Sequence, residues 1–304
     1  MAKEVVRRQR SSGAGSLLSQ TRRLLRQFDL QARKSLGQHF LIDRDVLELI
    51  VTTAELTPAD TVVEIGPGLG VLTGELARET GMVVAVELDG KLASVLKERM
   101  SSCQNVAVLN RDILKVEPVS LLEEVSPPDT GGPFKYKVVA NLPYYITSAV
   151  LRHFLEAKIR PDIMVVMVQK EVAEAIAARP GGMSLLSVSV QFYGQPKIIS
   201  YVPARCFYPA PEVDSAILRV DRYTEPPVAV DDEAGFFELV RAGFSAPRKQ
   251  MANSLALGLN WSKGEVITLL EKAGILPQRR AETLALDEWA RLWQAFNQSA
   301  GSIC

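Results

Sequence analysis

The ten residues Thr61-Val62-Val63-Glu64-Ile65-Gly66-Pro67-Gly68-Leu69-Gly70 decide the fold of this chain. A β-branched run leads directly into three glycines, and a helical pattern begins at Val71. β-Branched side chains suit a buried strand. Glycine lets the backbone turn sharply and approach a ligand closely, and the helix beyond aims its free N–H groups into the turn. Strand, glycine turn and helix, in that order, open an α/β sheet with a ligand crevice.

Outward from this unit the alternation repeats. Residues 83–87, 106–109, 137–140 and 163–168 read as strands, and residues 71–80, 89–101 and 147–157 as helices. Within 89–101, Leu92, Val95, Leu96 and Met100 recur at core-facing spacing. Such alternation predicts a mostly parallel sheet covered on both faces. Ser126-Pro127-Pro128-Asp129-Thr130-Gly131-Gly132-Pro133 reads as a surface loop. After residue 183 the texture changes: 185–193, 197–202 and 215–220 read as strands, an antiparallel edge to the sheet. Beyond Glu225-Pro226-Pro227 the pattern is helical, at 236–244, 249–257, 265–273 and 288–297, with a Ser262/Glu265 capping box before the third. The expected organisation is a basic extension over 1–30, an α/β domain over 31–222 and a small all-helical domain over 223–304.

Composition narrows the function. The 304 residues are 47% hydrophobic, enough for a large core. No run of 18 apolar residues and no secretory signal pattern occur, so a cytoplasmic protein without a membrane partner is expected. Cys103, Cys206 and Cys304 are odd in number and lack C-x-x-C spacing, which predicts reduced thiols and no metal site. Net charge is zero, yet residues 1–35 hold nine Lys/Arg against Glu4 and Asp29. That local surplus of seven is suited to phosphates, and residues 17–29 read as a short basic amphipathic helix.

Glycines at 66, 68 and 70 do not follow the G-x-G-x-x-G spacing that brings a helix to a pyrophosphate, so a ligand without phosphates fits better. S-adenosyl-L-methionine is such a ligand. Glu87, ending its strand, suits two ribose hydroxyls, and Asp112 suits an adenine amine. Asn141-Leu142-Pro143-Tyr144 ends another strand. It offers a side-chain carbonyl, a backbone carbonyl aimed by Pro143 and a flat ring. Together these can grip a planar base through the two N–H groups of an exocyclic amine.

With these motifs in view, the chain resembles the ribosomal RNA small-subunit adenine N6-dimethyltransferase family of the bacterial KsgA type. The matching stretches are Lys34-Ser35-Leu36-Gly37-Gln38-His39-Phe40-Leu41, the Glu64-to-Gly70 turn, Val86-Glu87-Leu88-Asp89, Asn141-Leu142-Pro143-Tyr144-Tyr145-Ile146 and Phe207-Tyr208-Pro209-Ala210-Pro211-Glu212-Val213-Asp214-Ser215-Ala216. The resemblance implies a class I, Rossmann-like methyltransferase with a seven-stranded sheet. It also implies S-adenosyl-L-methionine as donor and two adjacent adenosines near the 3′ end of small-subunit rRNA as substrate. It sets donor contacts on His39, Leu41, Gly66, Gly68, Glu87, Asp112 and Asn141, with His39 where many relatives have Asn. Asn141, Leu142, Pro143 and Tyr144 would hold the target base, and Phe207 would stack on its second face from an ordered loop flanked by Pro203, Pro209 and Pro211. Arg248, Lys249, Arg279 and Arg280 are the phosphate candidates, although Pro247 and Ala252 stand where basic residues are common. The 179–184 loop lacks an expected Tyr-Gly pair. The expected partner is small-subunit rRNA or an immature small subunit, met by a monomer during ribosome biogenesis. A methylase of large-subunit rRNA and a non-enzymatic assembly factor are the rival readings.

Overall fold

The computed structural model describes residues 16–33, 37–125 and 134–300. The basic residues before Ser16, Lys34-Ser35-Leu36 of one motif, the 126–133 loop and Cys304 lie outside the described residues. Helix Leu17–Gln27 (α1) and the short strand Phe40–Leu41 (β1) come first. Helix Arg44–Thr53 (α2), capped by Asp43, leads to Thr61–Ile65 (β2). Val71–Glu79 (α3), Met82–Glu87 (β3), Gly90–Arg99 (α4) and Val106–Asn110 (β4) complete one half of the sheet layer. Pro118–Val125 (α5), Lys137–Asn141 (β5), Thr147–Leu155 (α6), Ile163–Gln169 (β6) and Lys170–Ile176 (α7) build the other. Leu185–Tyr193 (α8), Gly194–Val202 (β7), Phe207–Tyr208 (β8) and Ser215–Arg222 (β9) follow. Four helices end the chain: Glu233–Gly243 (α9), Met251–Leu259 (α10), Lys263–Lys272 (α11) and Leu286–Ala300 (α12).

Seven strands share one sheet in the order β4-β3-β2-β5-β6-β9-β7. The first five run parallel; β9 is antiparallel to both β6 and β7. This is the predicted α/β class. From β2 the chain winds outward through β3 and β4, then returns to the opposite side of β2 at β5. Such a switch point opens a crevice at the carboxyl ends of the two central strands. Both sheet faces are covered: Val138, Ala140, Met164 and Val166 join one core, Val139, Val165 and Met167 the other. That double burial is why these strands read as continuous apolar runs.

The first core continues without a break into the C-terminal helices. Phe192 of α8 packs its ring 5.2 Å from those of Phe236 and Phe237 on α9. The 179–184 loop is pinned there too, since Gly181 and Met183 both donate backbone N–H groups to the Glu282 carbonyl.

One expected strand is a helix. Residues 185–193 form α8, opened by a capping box between Ser184 and Ser187. The alternation of Val188 and Val190 with serines imitates a strand period. Ser187 and Ser189 are nevertheless as buried as the valines, and Ser187 Oγ returns its hydrogen to Ser184 O at 2.8 Å. A hydroxyl satisfied within its own turn can count as core. The sequence reading does not anticipate α2, α5 or α7.

Candidate active site

The crevice between β2 and β5 is a cavity walled chiefly by residues 37–41, 64–69, 86–88, 111–114 and 141–146. Its floor is the glycine turn. Gly66, Gly68 and Gly70 hold φ of +65°, +57° and +75°. A Cβ on Gly70 would lie 2.3 Å from Leu96 Cδ1, so only glycine lets α3 start there. The Gly68 N–H donates to Glu87 Oε2 at 3.0 Å, and the Asp89 N–H to Oε1 at 2.9 Å. These bonds aim the Glu87 carboxylate along the cavity wall with acceptor capacity to spare. Burial nonetheless holds its pKa above the usual carboxylate value. Asp112 caps the Ile113–Lys115 turn through the Leu114 N–H at 3.2 Å.

Glu64, the penultimate residue of strand β2, is completely buried, and burial is the main cause that pushes its pKa up to about 8; the nearby Glu87 charge adds to the rise. The Thr73 hydroxyl opposes the rise by more than the Glu87 charge adds to it, yet Thr73 Oγ1 and Glu64 Oε2 are not within hydrogen-bonding geometry of any partner. A ligand's cationic group beside this acid would favour its ionised form and pair with the unfilled oxygen, offsetting the effect of burial.

At the opposite wall the Asn141 Nδ2 donates to the His39 carbonyl at 3.0 Å. Because that carbonyl can only accept, the amide orientation is determined and Oδ1 is left for a ligand. The Leu142 N–H is used by Met167 O at 3.1 Å. The Leu142 carbonyl receives no donor among the described residues. Its side chain is buried in the first core. Pro143 packs against the glycine turn, 3.5 Å from where a Gly66 Cβ would sit. Tyr144 OH and Ser215 Oγ share a 2.6 Å hydrogen bond that anchors the tip of the ring, and burial raises the phenol pKa. Tyr145 is exposed beside it.

His39 has three attachments. Its carbonyl orients Asn141, its Nδ1–H donates to Pro209 O at 2.8 Å, and its ring stacks on Tyr144 with centroids 5.8 Å apart. Leu41 lines the cavity while its side chain lies in the second core, so its backbone is what faces a ligand.

Two expectations are corrected. Phe207 is not on a surface loop but buried in the second core with Leu41 and Leu47. Pairing of β8 with β1, Leu41 opposite Phe207, is what carries it inward. The ring facing Tyr144 is that of His39. Arg279 is not free for phosphate: its guanidinium forks onto Glu288, with further bonds to Thr283. Glu288 is held below the usual carboxylate range by that pairing. Arg280 lies 3.6 Å from Glu282. Arg248 and Lys249 are exposed between α9 and α10, without an ion pair among the described residues. Glu64 and Ser215 belong to the site although their sequence signal was only membership of a motif. Among the described residues no group of His, Cys, Asp or Glu could hold a metal, and no helix is long and apolar enough to cross a membrane.

Residues 29–298 match the model of the family described as Ribosomal RNA adenine dimethylase. Ribosomal RNA small subunit methyltransferase A of Dehalococcoides mccartyi is 50% identical over 289 residues, 95% of this chain and 97% of that one. Its counterpart in Moorella thermoacetica is 45% identical over 271 residues, 88% and 94% of the two chains. Among solved structures, the 23S rRNA methyltransferase ErmE is 31% identical, with a TM-score of 0.64 over 85% of this chain and 100% of that one. A dimethyladenosine transferase from Plasmodium falciparum, 24% identical, shares the fold with a TM-score of 0.70 over 86% and 98%.

Proposed function

The chain belongs to the ribosomal RNA adenine dimethylase family, and on that premise we propose how its crevice carries out the reaction. It is an S-adenosylmethionine-dependent adenine dimethyltransferase of small-subunit rRNA. The residues of the cavity fit the donor. The glycine turn leaves room for a close backbone approach, Glu87 has capacity for ribose hydroxyls, Asp112 suits the adenine amine, and the unfilled oxygen of Glu64 suits a cationic tail. Leu41 and His39 contribute backbone. When bound, S-adenosylmethionine supplies an electrophilic methyl on its sulfonium sulfur.

The orientation of Asn141 carries the rest. With Nδ2 committed to His39 O, its Oδ1 accepts one N6 hydrogen of the target adenine, and the Leu142 carbonyl accepts the other. An amine held by two acceptors leaves its ring-delocalised form and frees its lone pair for the methyl. Tyr144, its hydroxyl anchored by Ser215, stacks on the base, worth roughly 1–3 kcal/mol. His39 and Tyr144 stand 5.8 Å apart, less than the roughly 7 Å that a base between two rings requires at about 3.5 Å per contact. The base therefore either lies along one face of Tyr144 or moves His39 aside. Once alkylated, N6 sheds its proton readily to water, so the pocket needs no strong base. Positioning supplies most of the rate.

We take residues 31–222 as the catalytic part, with Arg248 and Lys249 of the 223–304 part contacting phosphates. The chain acts as a cytoplasmic monomer, and a base that must leave its stack favours a partly assembled small subunit as substrate. Tritiated methyl transfer to under-modified small and large subunits, with the modified nucleoside identified, tests the function. Label in N6,N6-dimethyladenosine of the small subunit is the expected result. Label in the large subunit alone would refute it.

A further inference from the structure

The arginine-rich helix α1 has no part in the chemistry above, yet it is firmly built into the fold. Leu17 and Leu24 are buried seven residues apart, with Thr21 between them. Leu17 enters the second core; Leu24 packs with Phe40, Leu69 and Leu92 behind the donor cavity. Ser16 caps the helix through the Ser19 N–H, and Arg33 beyond it pairs with Asp89 at 3.2 Å. The Leu17–Leu24 face of α1 is thus packed against the protein rather than open to a lipid surface.

Its other face carries Arg22, Arg23 and Arg26, all exposed. None has a carboxylate partner among the described residues, whereas Arg33, Arg44, Arg78, Arg111 and Arg152 all do. The helix itself contains no acid. Arg22 lies over the Tyr208 ring at 5.0 Å, a contact that orients the guanidinium without neutralising it. Arg23 sits close enough to Arg99 to help lower its pKa, second to burial, and Arg99 Nη1 is buried without a partner. Like charges gathered with no counter-charge, beside the wall of the base-binding cavity, lack only an anion with many phosphates.

We propose that the outward face of α1, formed by Arg22, Arg23 and Arg26 with Arg99 behind them, is a docking surface for the sugar-phosphate backbone of the RNA substrate. This rests on the reading of the chain as an rRNA methyltransferase. Such contacts fix the register of the RNA while the pocket selects the base. Arg22 lies over Tyr208 of strand β8, which pairs with Phe40 and Leu41 directly after His39.

The test compares the full chain with the triple variant Arg22→Gln/Arg23→Gln/Arg26→Gln and with the same three changed to Lys. Affinity for under-methylated small subunits is measured against salt, and donor affinity by calorimetry. The Gln variant should reduce the salt slope by roughly 2–3, at about 0.7–0.9 per phosphate contact. The Lys variant should keep it, and donor affinity should hold in both. Should the Gln triple misfold, Arg23→Gln and Arg26→Gln alone should each lower the slope by about 0.7–0.9. An unchanged slope in the folded variants overturns the proposal while leaving the methyltransferase reading intact. A wild type that transfers methyl to no RNA overturns both.

Discussion

At the scale of single residues, function follows from which polar atoms are committed and which are left over. Asn141 spends its amide N–H on His39 O and keeps its carbonyl; Tyr144 spends its hydroxyl on Ser215 and keeps its ring. Ser215→Ala removes a bond worth about 1 kcal/mol and frees the Tyr144 ring. The rate of methyl transfer should fall several-fold with donor affinity unchanged, as single-turnover kinetics and calorimetry will show. Glu64 gives a pH signature. Its pKa is raised to about 8 by burial, so its stabilising contribution is fully present below the ordinary carboxyl pKa and is lost as pH rises toward 8. Glu64→Gln stays neutral throughout. Between pH 5 and 8.5, wild type should lose more stability than the variant, by on the order of a few kcal/mol in denaturant titrations. Parallel pH profiles would contradict that assignment. That Asn141, Tyr144, Glu87 and Asp112 share one cavity was legible in the sequence, because each ends a strand or its turn. Phe207 was misread because prolines on either side suggest a surface loop, while β1–β8 pairing, invisible in sequence, turns the ring inward.

At the scale of elements, sequence periodicity was reliable where one pattern had one meaning. The β2-turn-α3 unit and the parallel strands read correctly because short runs rich in β-branched residues suit a buried strand. Residues 185–193 did not, since small buried serines among valines fit either period. The Gly70→Ala variant tests the turn. It forces a left-handed residue and a clash with Leu96, and should cost about 1–3 kcal/mol with donor binding weakened. Arg279 separates latch from RNA contact. Arg279→Gln releases Glu288 and the Thr283 turn and should lower the melting temperature. The salt slope of RNA binding should not change, whereas Arg248→Gln should lower that slope and leave the melting temperature alone.

At the scale of the whole molecule, one core runs from the sheet through α6 and α8 into α9–α12, with Trp289 fully buried inside it. The catalytic and helical parts should therefore unfold together, tryptophan fluorescence and far-UV circular dichroism melting at one temperature. Two separated transitions would show that the shared core does not couple them. Around that core the molecule gathers a glycine-floored cavity, the Asn141-to-Tyr144 strand end at its wall, and basic surfaces. The decisive measurement is single-turnover methyl transfer to under-methylated small subunits by wild type and Asn141→Ala, with donor affinity taken in parallel. Wild type should give dimethyladenosine at two adjacent positions, and the variant should lose roughly 100-fold or more in rate, as when one preorganised hydrogen-bonding group is removed from an active site, while donor affinity changes only slightly. Equal rates from the two proteins would contradict the pocket described here.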